Sequence, residues 1–562
     1  MRRHFGTLLV IVALASLGLG TAGFLACDPA TGFATAFYRS VQLFYWNYFP
    51  WNTTLEARIP WTLELARWLA PLTTLGALSR VAIALFHRRW EAYRARKMSG
   101  HTVICGAGEK GATLARDMRK TGEGPVILIE QNEDLADELA DERFLVIRGD
   151  ATKADVLRQA AVPAAGRLVV ATGNDHDNLA IAMTALHIGG DSLSIHAHSR
   201  SASLCDLYRR NHAMTSAREG SPDIRVFNSF RNAARRAIRD FPPGPAGDGA
   251  HVVLPDLSHP AAALAVEYAL VGHFAGGRRI HLHIIGPEAG RELAAFRTRY
   301  PALHECAEVS AVDFPPAEHF STRVSALAGQ LSAETNITVF PGFDGDHEAF
   351  SHALELLERT RNSTGLMVLL PGSTGRSMRE MIGANPGFAG RIGFLPTPES
   401  TCGFEAVVGE ALDRTARAIH ENWLQETRHQ IDAARAAGNV DLVRRHAEKA
   451  TFKPWEALSE EQKGASRSQA DHIPFKIRAA GLDPLTVTSA DWAKLTDAQV
   501  ESLARMEHAR WAAYYWMTGW TFAPERNDGL RQHPDLISYD ELDEPTKDYD
   551  RAAVRNLAQY LA

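Results

Sequence analysis

Cysteine is scarce in this chain of 562 residues, and its distribution excludes two classes of protein. The sequence has 5 cysteines, and no two of them form a CxxC pair. Disulfide-stabilised secreted domains and structural zinc sites both need several closely placed cysteines. The spacing therefore predicts reduced thiols in a cytosolic environment and no metal site. The five are Cys27, Cys105, Cys205, Cys306 and Cys402.

A strong excess of positive charge is also lacking. The chain has 60 Lys and Arg against 66 Asp and Glu, which gives a formal net charge of -6. Domains that bind nucleic acid are usually basic, so no nucleic-acid partner is predicted. The apolar content of 45% and the charged content of 22% are those of globular proteins. At this length we expect three or four domains.

Charged residues are absent from a long stretch near the N-terminus. Thr7 to Ala26 forms an apolar run, and twenty such residues suffice to cross about 30 Å of hydrocarbon. A cleaved signal peptide and a lipoprotein signal at Phe24–Cys27 are the alternatives. The run is long for the apolar region of a signal peptide, so we predict a permanent membrane span.

A second, weaker span is predicted from Trp68 to Phe86, where Arg80 is the single charged residue. A basic collar follows at Arg88–Lys97. Positive residues favour the cytoplasmic side of a membrane, so the collar, with Arg2 and Arg3, predicts a transmembrane hairpin whose two ends are cytoplasmic. Arg80 either reaches the interface with its long side chain or lines a water-filled path.

Glycine is rare between these spans. From Asp28 to Leu75 the one glycine is Gly32. The aromatic segment Phe33–Tyr48 predicts a short interfacial or re-entrant helix that Pro50 ends. A potassium filter consists of stacked backbone carbonyls and needs glycines of the TVGYG type. That filter cannot be built here, so a pore in this protein would have a different selectivity.

A glycine-rich loop follows the short apolar run Thr102–Cys105 and precedes a predicted helix. Gly106 permits a tight turn, Gly108 lets the backbone approach a pyrophosphate, and Gly111 lets the helix pack closely on the strand. Glu109 and Lys110 complete the loop. The helix N-terminus supplies N–H donors and partial positive charge. The pattern predicts a dinucleotide-binding fold.

Further strands alternate with helices up to about Asp240, which predicts a parallel sheet covered on both faces. The predicted second strand, Pro125–Glu130, ends in an acid placed to bind the hydroxyls of a ribose. An acid there favours NAD or an adenosine nucleotide over NADP. Polar residues follow the third and fourth strands, Phe144–Arg148 and Arg167–Thr172. The remaining candidate ligand residues are Asp150, Ala151, Thr172 and Asn174.

These residues carry a family resemblance. Residues 101–240 resemble the RCK or TrkA-N domain of potassium channels and transporters, through the glycine loop, Ile129-Glu130, the run Arg148–Thr152 and the run Ala171–Asp175. The resemblance implies a domain that binds NAD(H), ATP, ADP or a related nucleotide and whose subunits pair. It implies a homodimer or homotetramer. The order of span, pore-like helix, span and RCK domain also resembles a bacterial potassium channel.

A second half repeats the first. His251–Leu254 aligns with His101–Ile104, the run 337–346 echoes the run 168–177, and Gly365–Leu370 is the predicted fifth strand. The loop after the first strand, Pro255–Pro260, has lost its glycines, and its Asp256 would repel phosphate. We therefore predict a degenerate Rossmann-like domain that packs and dimerises.

From about Asp413 the chain is predicted to be helical, with helices at Arg414–Thr427 and Gln430–Ala450. Residues 455–561 closely resemble the RyR domain, a repeat named after ryanodine receptors. The resemblance rests on Glu507-His508 before Arg510-Trp511, on Gly519-Trp520, and on the run 533–542. Tryptophans and arginines of this block either form a pocket that stacks an adenine and holds phosphates or belong to the core. The candidate pocket residues are Arg505, Glu507, His508, Arg510, Trp511, Trp520 and Arg526.

The sequence thus predicts an α/β protein with an N-terminal transmembrane helical hairpin (1–98). Two tandem Rossmann-like, RCK-type parallel-sheet domains (99–245 and 246–412), a helical linker (413–452) and an all-α RyR-like domain (453–562) follow. We expect a multi-pass protein of a bacterial inner (plasma) membrane whose large C-terminal part is cytoplasmic. Its partners would be the lipid bilayer and a small nucleotide, which is NAD(H), ATP, ADP or a nucleotide second messenger.

Three functions are compatible with this organisation. The first is a nucleotide-gated membrane transport protein related to potassium channels. The second is an antiphage effector that disrupts the membrane when a nucleotide signal binds. The third, an NAD-dependent oxidoreductase, is disfavoured because no Ser-Tyr-x-x-x-Lys motif, catalytic Cys–His set or separate substrate domain stands out. We predict no catalytic residues and no enzyme activity.

Overall fold

The computed structural model describes residues 2–28, 30–47, 59–201, 224–244, 249–315, 318–343, 346–388 and 390–561. The chain divides into two compact units, Met1–Lys97 and Met98–Ala562. Within the described residues the cysteines Cys27, Cys105, Cys306 and Cys402 are free thiols. Cys205 lies outside this part of the chain.

The N-terminal unit is a small cluster of helices. Its helices are α1 (Arg2–Cys27), α2 (Phe33–Gln42), a 3-10 turn (Leu43–Tyr45) and α3 (Trp61–Arg96). The Ser40 hydroxyl donates to the Leu17 carbonyl oxygen at 2.8 Å, which joins α2 to α1. A side chain at Gly23 would collide with the Leu63 backbone, so this glycine allows α3 to approach α1 closely. Backbone proximity of this kind is typical of helices that associate through small residues.

Within the described residues, one helix is long and apolar enough to cross a membrane, Thr7–Cys27, with a mean hydropathy of 2.3. The second predicted span belongs to α3, which continues through Pro71 for 36 residues. The side chains of residues 80–89, including Arg80, lie outside the described part. The aromatic helix ends at Tyr45, because Trp46 adopts a left-handed backbone with φ 59. The predicted end at Pro50 lies outside the described residues.

A six-stranded parallel sheet follows, in the order β3-β2-β1-β4-β5-β6. This is the strand order of dinucleotide-binding Rossmann folds, in which the switch point lies between β1 and β4. The predicted strands before β6 are confirmed, whereas β6 was not predicted. The strands are β1 (Thr102–Cys105), β2 (Val126–Glu130), β3 (Leu145–Arg148), β4 (Arg167–Val170), β5 (Ser194–His198) and β6 (Ile224–Phe227). The helices are α4 (Glu109–Thr121), α5 (Glu133–Asp141), α6 (Ala154–Gln159), α7 (Asp175–Ile188) and α8 (Ser229–Asp240).

The second sheet has the order β12-β11-β10-β7-β8-β9, which is the same topology in the second half of the chain. The predicted repeat is therefore confirmed. Its strands are β7 (Ala250–Leu254), β8 (His281–Gly286), β9 (Glu308–Asp313), β10 (Asn336–Val339), β11 (Leu366–Leu370) and β12 (Ile392–Phe394). Its helices are α9 (His259–Val271), α10 (Ala289–Arg299), α11 (Leu303–Cys306), α12 (Phe320–Gln330), α13 (Asp346–Arg359), α14 (Arg376–Gly383), α15 (Pro398–Cys402) and α16 (Phe404–Val407).

The C-terminal module is helical apart from a pair of two-residue strands. The predicted helices at 414–427 and 430–450 are wrong in their bounds. The first helix continues to Ala436, and Gly438, with a left-handed φ of 69, then separates it from the next helix. The helices are α17 (Arg414–Ala436), α18 (Val440–Ala447), α19 (Glu460–Asp471), α20 (Ile473–Ala479), α21 (Ser489–Trp492), α22 (Asp497–Met517) and α23 (Glu544–Asn556). The short strands are β13 (Thr521–Phe522) and β14 (Gln532–His533).

The C-terminal module shares a hydrophobic core with the second sheet. Phe475 of α20, with Ala513 and Tyr514 of α22, belongs to the same buried cluster as Tyr268 of α9 and Phe340 after β10. A continuous core of this size indicates that the two parts are not separated by a flexible linker.

Helix α8 connects the first sheet to the module through arginines spaced four residues apart. The Arg235 guanidinium lies 2.6 Å from Asp471 and 2.8 Å from Asp413. Arg239 also pairs with Asp471, and Arg467 of α19 lies 2.6 Å from Asp413. Arg235 and Asp471 are almost fully buried. We name Arg235, Arg239, Asp413, Arg467 and Asp471 the interdomain ion cluster.

The interdomain ion cluster yields a stability prediction. Asp471→Asn leaves Arg235 and Arg239 without their shared carboxylate, and breaking a buried pair from one side costs about 3–5 kcal/mol. We expect the free energy of unfolding, measured by urea unfolding of the detergent-solubilised protein, to fall by that amount. Asp432→Asn is the control, because the Arg435–Asp432 pair is exposed and should contribute below about 1 kcal/mol. Equal losses in the two variants would contradict the assignment.

Candidate functional site

The glycine loop after β1 is shaped by two positions that admit no side chain. Gly106 has φ +84, and a Cβ there would lie 2.8 Å from the Thr172 backbone. A Cβ at Gly111 would overlap the carbonyl oxygen of Gly106. The loop therefore folds back onto the β4 end, and α4 starts directly above it. Glycine is required at these two positions for steric reasons.

Gly108, by contrast, has room for a side chain. It is the residue before α4, has φ -59, and provides no side-chain cap. A Cβ built on it meets nothing within 4 Å. The first N–H groups of a helix have no partners within the helix, so this open side leaves the α4 N-terminus accessible. A phosphate or another anion can approach the backbone there, while Glu109 is exposed on the first turn.

Glu130 is fixed at the tip of β2 by two backbone donors. Its Oε2 accepts from the Ala107 N–H at 2.8 Å, and its Oε1 accepts from the Asn132 N–H at 2.8 Å. The side chain is 9% exposed. Each carboxylate oxygen can accept a second hydrogen bond. The structure thus brings Glu130 against the glycine loop, where it can bind a pair of hydroxyl groups.

The residues after β3 and β4 border the same edge of the sheet. Asp150 accepts from the Thr152 N–H at 2.9 Å and hydroxyl at 2.6 Å, and these hydrogen bonds lower its pKa. Ala151 is buried. Thr172 donates its N–H and hydroxyl to Asn178, and the Asn174 side chain caps α7 by accepting from the His176 N–H. These hydrogen bonds hold the loop shapes, and the Thr172 backbone lies beside Gly106.

Lys110 points into a group of residues that sequence reasoning missed. Its ammonium lies 3.3 Å from His198 Nε2 and 4.9 Å from the Phe230 ring centre. His198 Nε2 also lies 3.0 Å from the Ser229 hydroxyl at the start of α8. Burial, with the charge of Lys110, lowers the pKa of His198 to about 3. A neutral imidazole can therefore accept from the Lys110 ammonium, whose own pKa is lowered by burial.

The candidate pocket in the C-terminal module separates into two groups. Glu507 and Arg510 are buried together, with Arg510 Nη2 2.7 Å from Glu507 Oε1 and Lys476 on the other carboxylate oxygen. Burial alone would raise the pKa of Glu507, but Arg510 and Lys476 hold it well below its usual range. Arg510 is committed to this internal pair. The structure therefore places Arg510 and Glu507 in a buried ion pair, and their assignment to a ligand pocket stays a prediction.

The second group is an aromatic cluster around Tyr515. The Trp511 and Tyr515 ring centres are 4.5 Å apart, and Trp520 lies 4.9 Å from Tyr515. His533 contacts Trp511 at 5.0 Å, and Arg526 lies 5.8 Å from the Trp520 ring. The structure thus brings Trp511, Trp520 and Arg526 together, and their role in a ligand pocket stays a prediction. Tyr515 and His533 were missed.

Arg505 and His508 of α22 both contact the segment that follows β14. Arg505 pairs with Asp540 and lies 5.0 Å from the Tyr539 ring. His508 Nε2 lies 2.9 Å from the Ile537 carbonyl oxygen, and Nδ1 lies 3.3 Å from Asp550. Burial alone would lower the pKa of His508, but Asp550 and the carbonyl raise it. Both residues therefore hold the loop 537–540 onto the helix, and the His508 ring also stacks on Trp511 of the aromatic cluster, with ring centres 5.5 Å apart.

Comparison with protein families identifies two domains. The TrkA-N domain family matches residues 102–217. The RyR domain family matches residues 483–562. The chain therefore combines a TrkA-N domain with an RyR domain. The RyR match begins later than the resemblance in the sequence, which placed its start at Trp455.

The chain is similar to several archaeal proteins. An uncharacterized protein of Methanothermus fervidus is 41% identical over 90 residues, which are 16% of this chain and 14% of that protein. Potassium channel protein 1 of Methanocaldococcus jannaschii is 32% identical over 94 residues (16% and 28%). A Trk system potassium uptake protein TrkA homolog of Pyrococcus horikoshii is 34% identical over 96 residues (17% and 42%). The similarity thus spans less than half of each relative.

The chain is also similar to solved structures of the GsuK channel. The GsuK channel bound to NAD has a TM-score of 0.35 and 15% identity, covering 71% of this chain and 81% of that one. GsuK bound to ADP has a TM-score of 0.34 and 15% identity, covering 71% and 94%. The strand order, and not these low scores, defines the fold of the present chain.

The two glycines Gly108 and Gly111 give matched variants. Gly111→Ala forces Gly106 to move, and such overpacking costs about 1–3 kcal/mol. Gly108→Ala meets open space at an allowed φ and should change stability by less than about 1 kcal/mol. Urea unfolding of both variants checks the difference. A Gly108→Ala loss as large as that of Gly111→Ala would contradict this loop geometry.

Proposed function

We propose that this protein is a nucleotide-sensing component of membrane ion transport, related to potassium channels and TrkA proteins. The observation that carries the proposal is the accessible α4 N-terminus at Gly108, with the Glu130 carboxylate held beside the same loop. One feature suits a pyrophosphate and the other suits ribose hydroxyls. The protein acts as a sensor, and no enzyme activity is proposed.

The ligand in this proposal is NAD(H) or an adenosine nucleotide, such as ATP, ADP or a nucleotide second messenger. A buried carboxylate at the β2 tip would repel the 2′-phosphate of NADP, whereas it would accept hydrogen bonds from a free ribose. Lys110 adds a positive charge beside the loop. The loop residues 106–111 and Glu130 would bind the ligand directly, and Asp150, Ala151, Thr172 and Asn174 would form the neighbouring wall.

The transport role is supported by the N-terminal apolar helix and by the relatives named as potassium channel and Trk potassium uptake proteins. We propose a multi-pass protein of the bacterial inner membrane, with Thr7–Cys27 and part of α3 in the bilayer and the large C-terminal part in the cytoplasm. A homodimer or homotetramer would gate the membrane segment. Such gating requires the nucleotide to bind one conformation better than another.

Glu130→Gln tests the site directly. The substitution removes the charge that favours ribose hydroxyls while keeping the size of the side chain, and hydrogen bonds to charged groups contribute about 1.5–3 kcal/mol. We expect NAD or ADP affinity to fall at least tenfold in calorimetric titration of the detergent-purified protein. Discrimination against NADP should also weaken. Glu138→Gln, on exposed α5, is the control; unchanged affinity in Glu130→Gln would sink the assignment.

A second candidate function is a membrane-disrupting effector of antiphage defence. It is favoured by the lack of filter glycines between Asp28 and Leu75 and by the exposed aromatic residues Tyr38, Tyr45 and Trp46. In this alternative, nucleotide binding would open a non-selective pore and depolarise the cell.

Flux measurements in liposomes separate the two functions. A transport component should pass potassium or another small cation after nucleotide addition while retaining an encapsulated dye. An effector should release the dye as well, because its pore has no filter. Glu130→Gln should abolish the nucleotide response in either case. A flux that changes neither on nucleotide addition nor in this variant would contradict both functions.

A further inference from the structure

A cavity lies outside the glycine-loop site, where three parts of the C-terminal unit meet. It is bounded by the edge strand β6, by the segment before α17 and by the start of the C-terminal module, and it encloses about 210 Å³. We name it the linker cavity. Its principal lining residues are Arg225, Glu410, Arg414, Arg417, Trp455 and Lys463.

Four cations line the linker cavity, and the carboxylates of Glu410 and Glu456 lie among them. Asp413 also borders it, but its carboxylate is held by Arg235 and Arg467 of the interdomain ion cluster. Arg225 and Lys463 both pair with the carboxylate of Glu410, and Lys463 also lies 3.3 Å from Glu460. Arg414 is exposed and has no hydrogen bond or ion pair within the described part of the chain. Arg417 adds a fourth cation, paired with the exposed Glu421 and Glu456.

Glu410 occupies the centre of these cations. Its Oε1 lies 3.1 Å from the Arg225 guanidinium and 3.4 Å from the Lys463 ammonium, and its Oε2 accepts from the Trp455 indole N–H at 2.9 Å. Lys463 and Trp455 are almost fully buried. A buried ammonium without an anion is very unfavourable, but Glu460 lies 3.3 Å from Lys463, so Lys463 keeps an anionic partner if the Glu410 carboxylate moves.

The backbone at Glu410 is strained. Its φ is 49, in the left-handed region that residues other than glycine rarely adopt. A residue held there costs of order 1–3 kcal/mol and persists where the surroundings impose it. The carboxylate is therefore placed among the cations against the local backbone preference. A ligand anion that took its place would allow this residue to relax.

We propose that the linker cavity binds a compact phosphorylated metabolite, whose phosphate displaces the Glu410 carboxylate from Arg225 and Lys463. One arginine guanidinium can bind two phosphate oxygens at once, and Arg414 and Arg417 also line this cavity. Pockets for drug-sized ligands enclose roughly 300–1,000 Å³, so this smaller volume suits a sugar phosphate and not a dinucleotide. The site uses none of the glycine-loop residues.

Phosphate titration of the full chain in detergent tests the proposal, with inorganic phosphate and ribose 5-phosphate as the ligands. Lys110→Ala serves as the background, to weaken anion binding at the glycine loop. We expect Arg414→Gln with Arg417→Gln to lower affinity at least tenfold. Glu410→Gln should raise affinity about tenfold, because it removes the competing charge and keeps an acceptor for Trp455.

Arg428→Gln, an exposed position on the same helix α17, is the matched control and should leave affinity unchanged. Circular dichroism melting confirms that each variant is folded. The proposal is overturned if neither ligand binds at millimolar concentration, if the Arg414 and Arg417 double variant binds like the control, or if Glu410→Gln leaves affinity unchanged. Glu130→Gln should not alter this binding, which separates it from failure of the nucleotide site.

Discussion

The interdomain ion cluster is the constraint on which the arrangement of the C-terminal unit depends. Asp471 accepts from Arg235 and Arg239, and Asp413 accepts from Arg235 and Arg467. Each of these charges would be costly in the interior if its partners were absent. Helix α8, the segment before α17 and helix α19 must therefore assemble together. These ion pairs join helix α8, which follows the segment matched by the TrkA-N family, to helix α19, which precedes the segment matched by the RyR family.

Helix α8 reaches from this cluster to the glycine-loop site. Its first residues, Ser229 and Phe230, contact His198 and Lys110, and Arg235 lies about two turns further along. Arg231, between them, pairs with Glu267 of α9. A rigid helix with both ends engaged carries a displacement from one end to the other. A ligand at the glycine loop would use this route to the extent that it prefers one position of α8 over another.

The sequence predicted the glycine loop because its determinants are local. Gly106, Gly108 and Gly111 act through their own backbone, and Glu130 follows a recognisable strand at the expected distance. The repeat was also predictable, since buried parallel strands appear as short apolar runs. By contrast, β8 and β9 carry His281, His283 and Glu308 in place of an apolar run. Strands with that composition have no simple pattern in a single sequence.

The charged residues show where sequence reasoning stops. The arginines of α8 at positions 231, 235 and 239 resemble a solvated helix face, yet they bind buried acids from three distant segments. For Arg510 the sequence left a ligand pocket and the core as alternatives, because Lys476, which shares Glu507 with it, is 31 residues away from that acid. Burial and pairing of a charge depend on tertiary contacts, and no periodicity within one helix reports them.

In the second half of the repeat, the loop that corresponds to the glycine loop has its backbone N–H groups bound by internal acceptors. Ser258 precedes α9 as Gly108 precedes α4, but the Leu257 N–H is bound by Glu292 and the Ser258 N–H by Asp256. The end of β8 carries Gly286, where a side chain would meet the Pro255 carbonyl, so no acid equivalent to Glu130 fits. His259 instead stacks on Phe230 beside Lys110, with ring centres 6.2 Å apart. Internal carboxylates thus accept from the two N–H groups before α9, and the N-terminus of that helix borders the glycine-loop site of the first half.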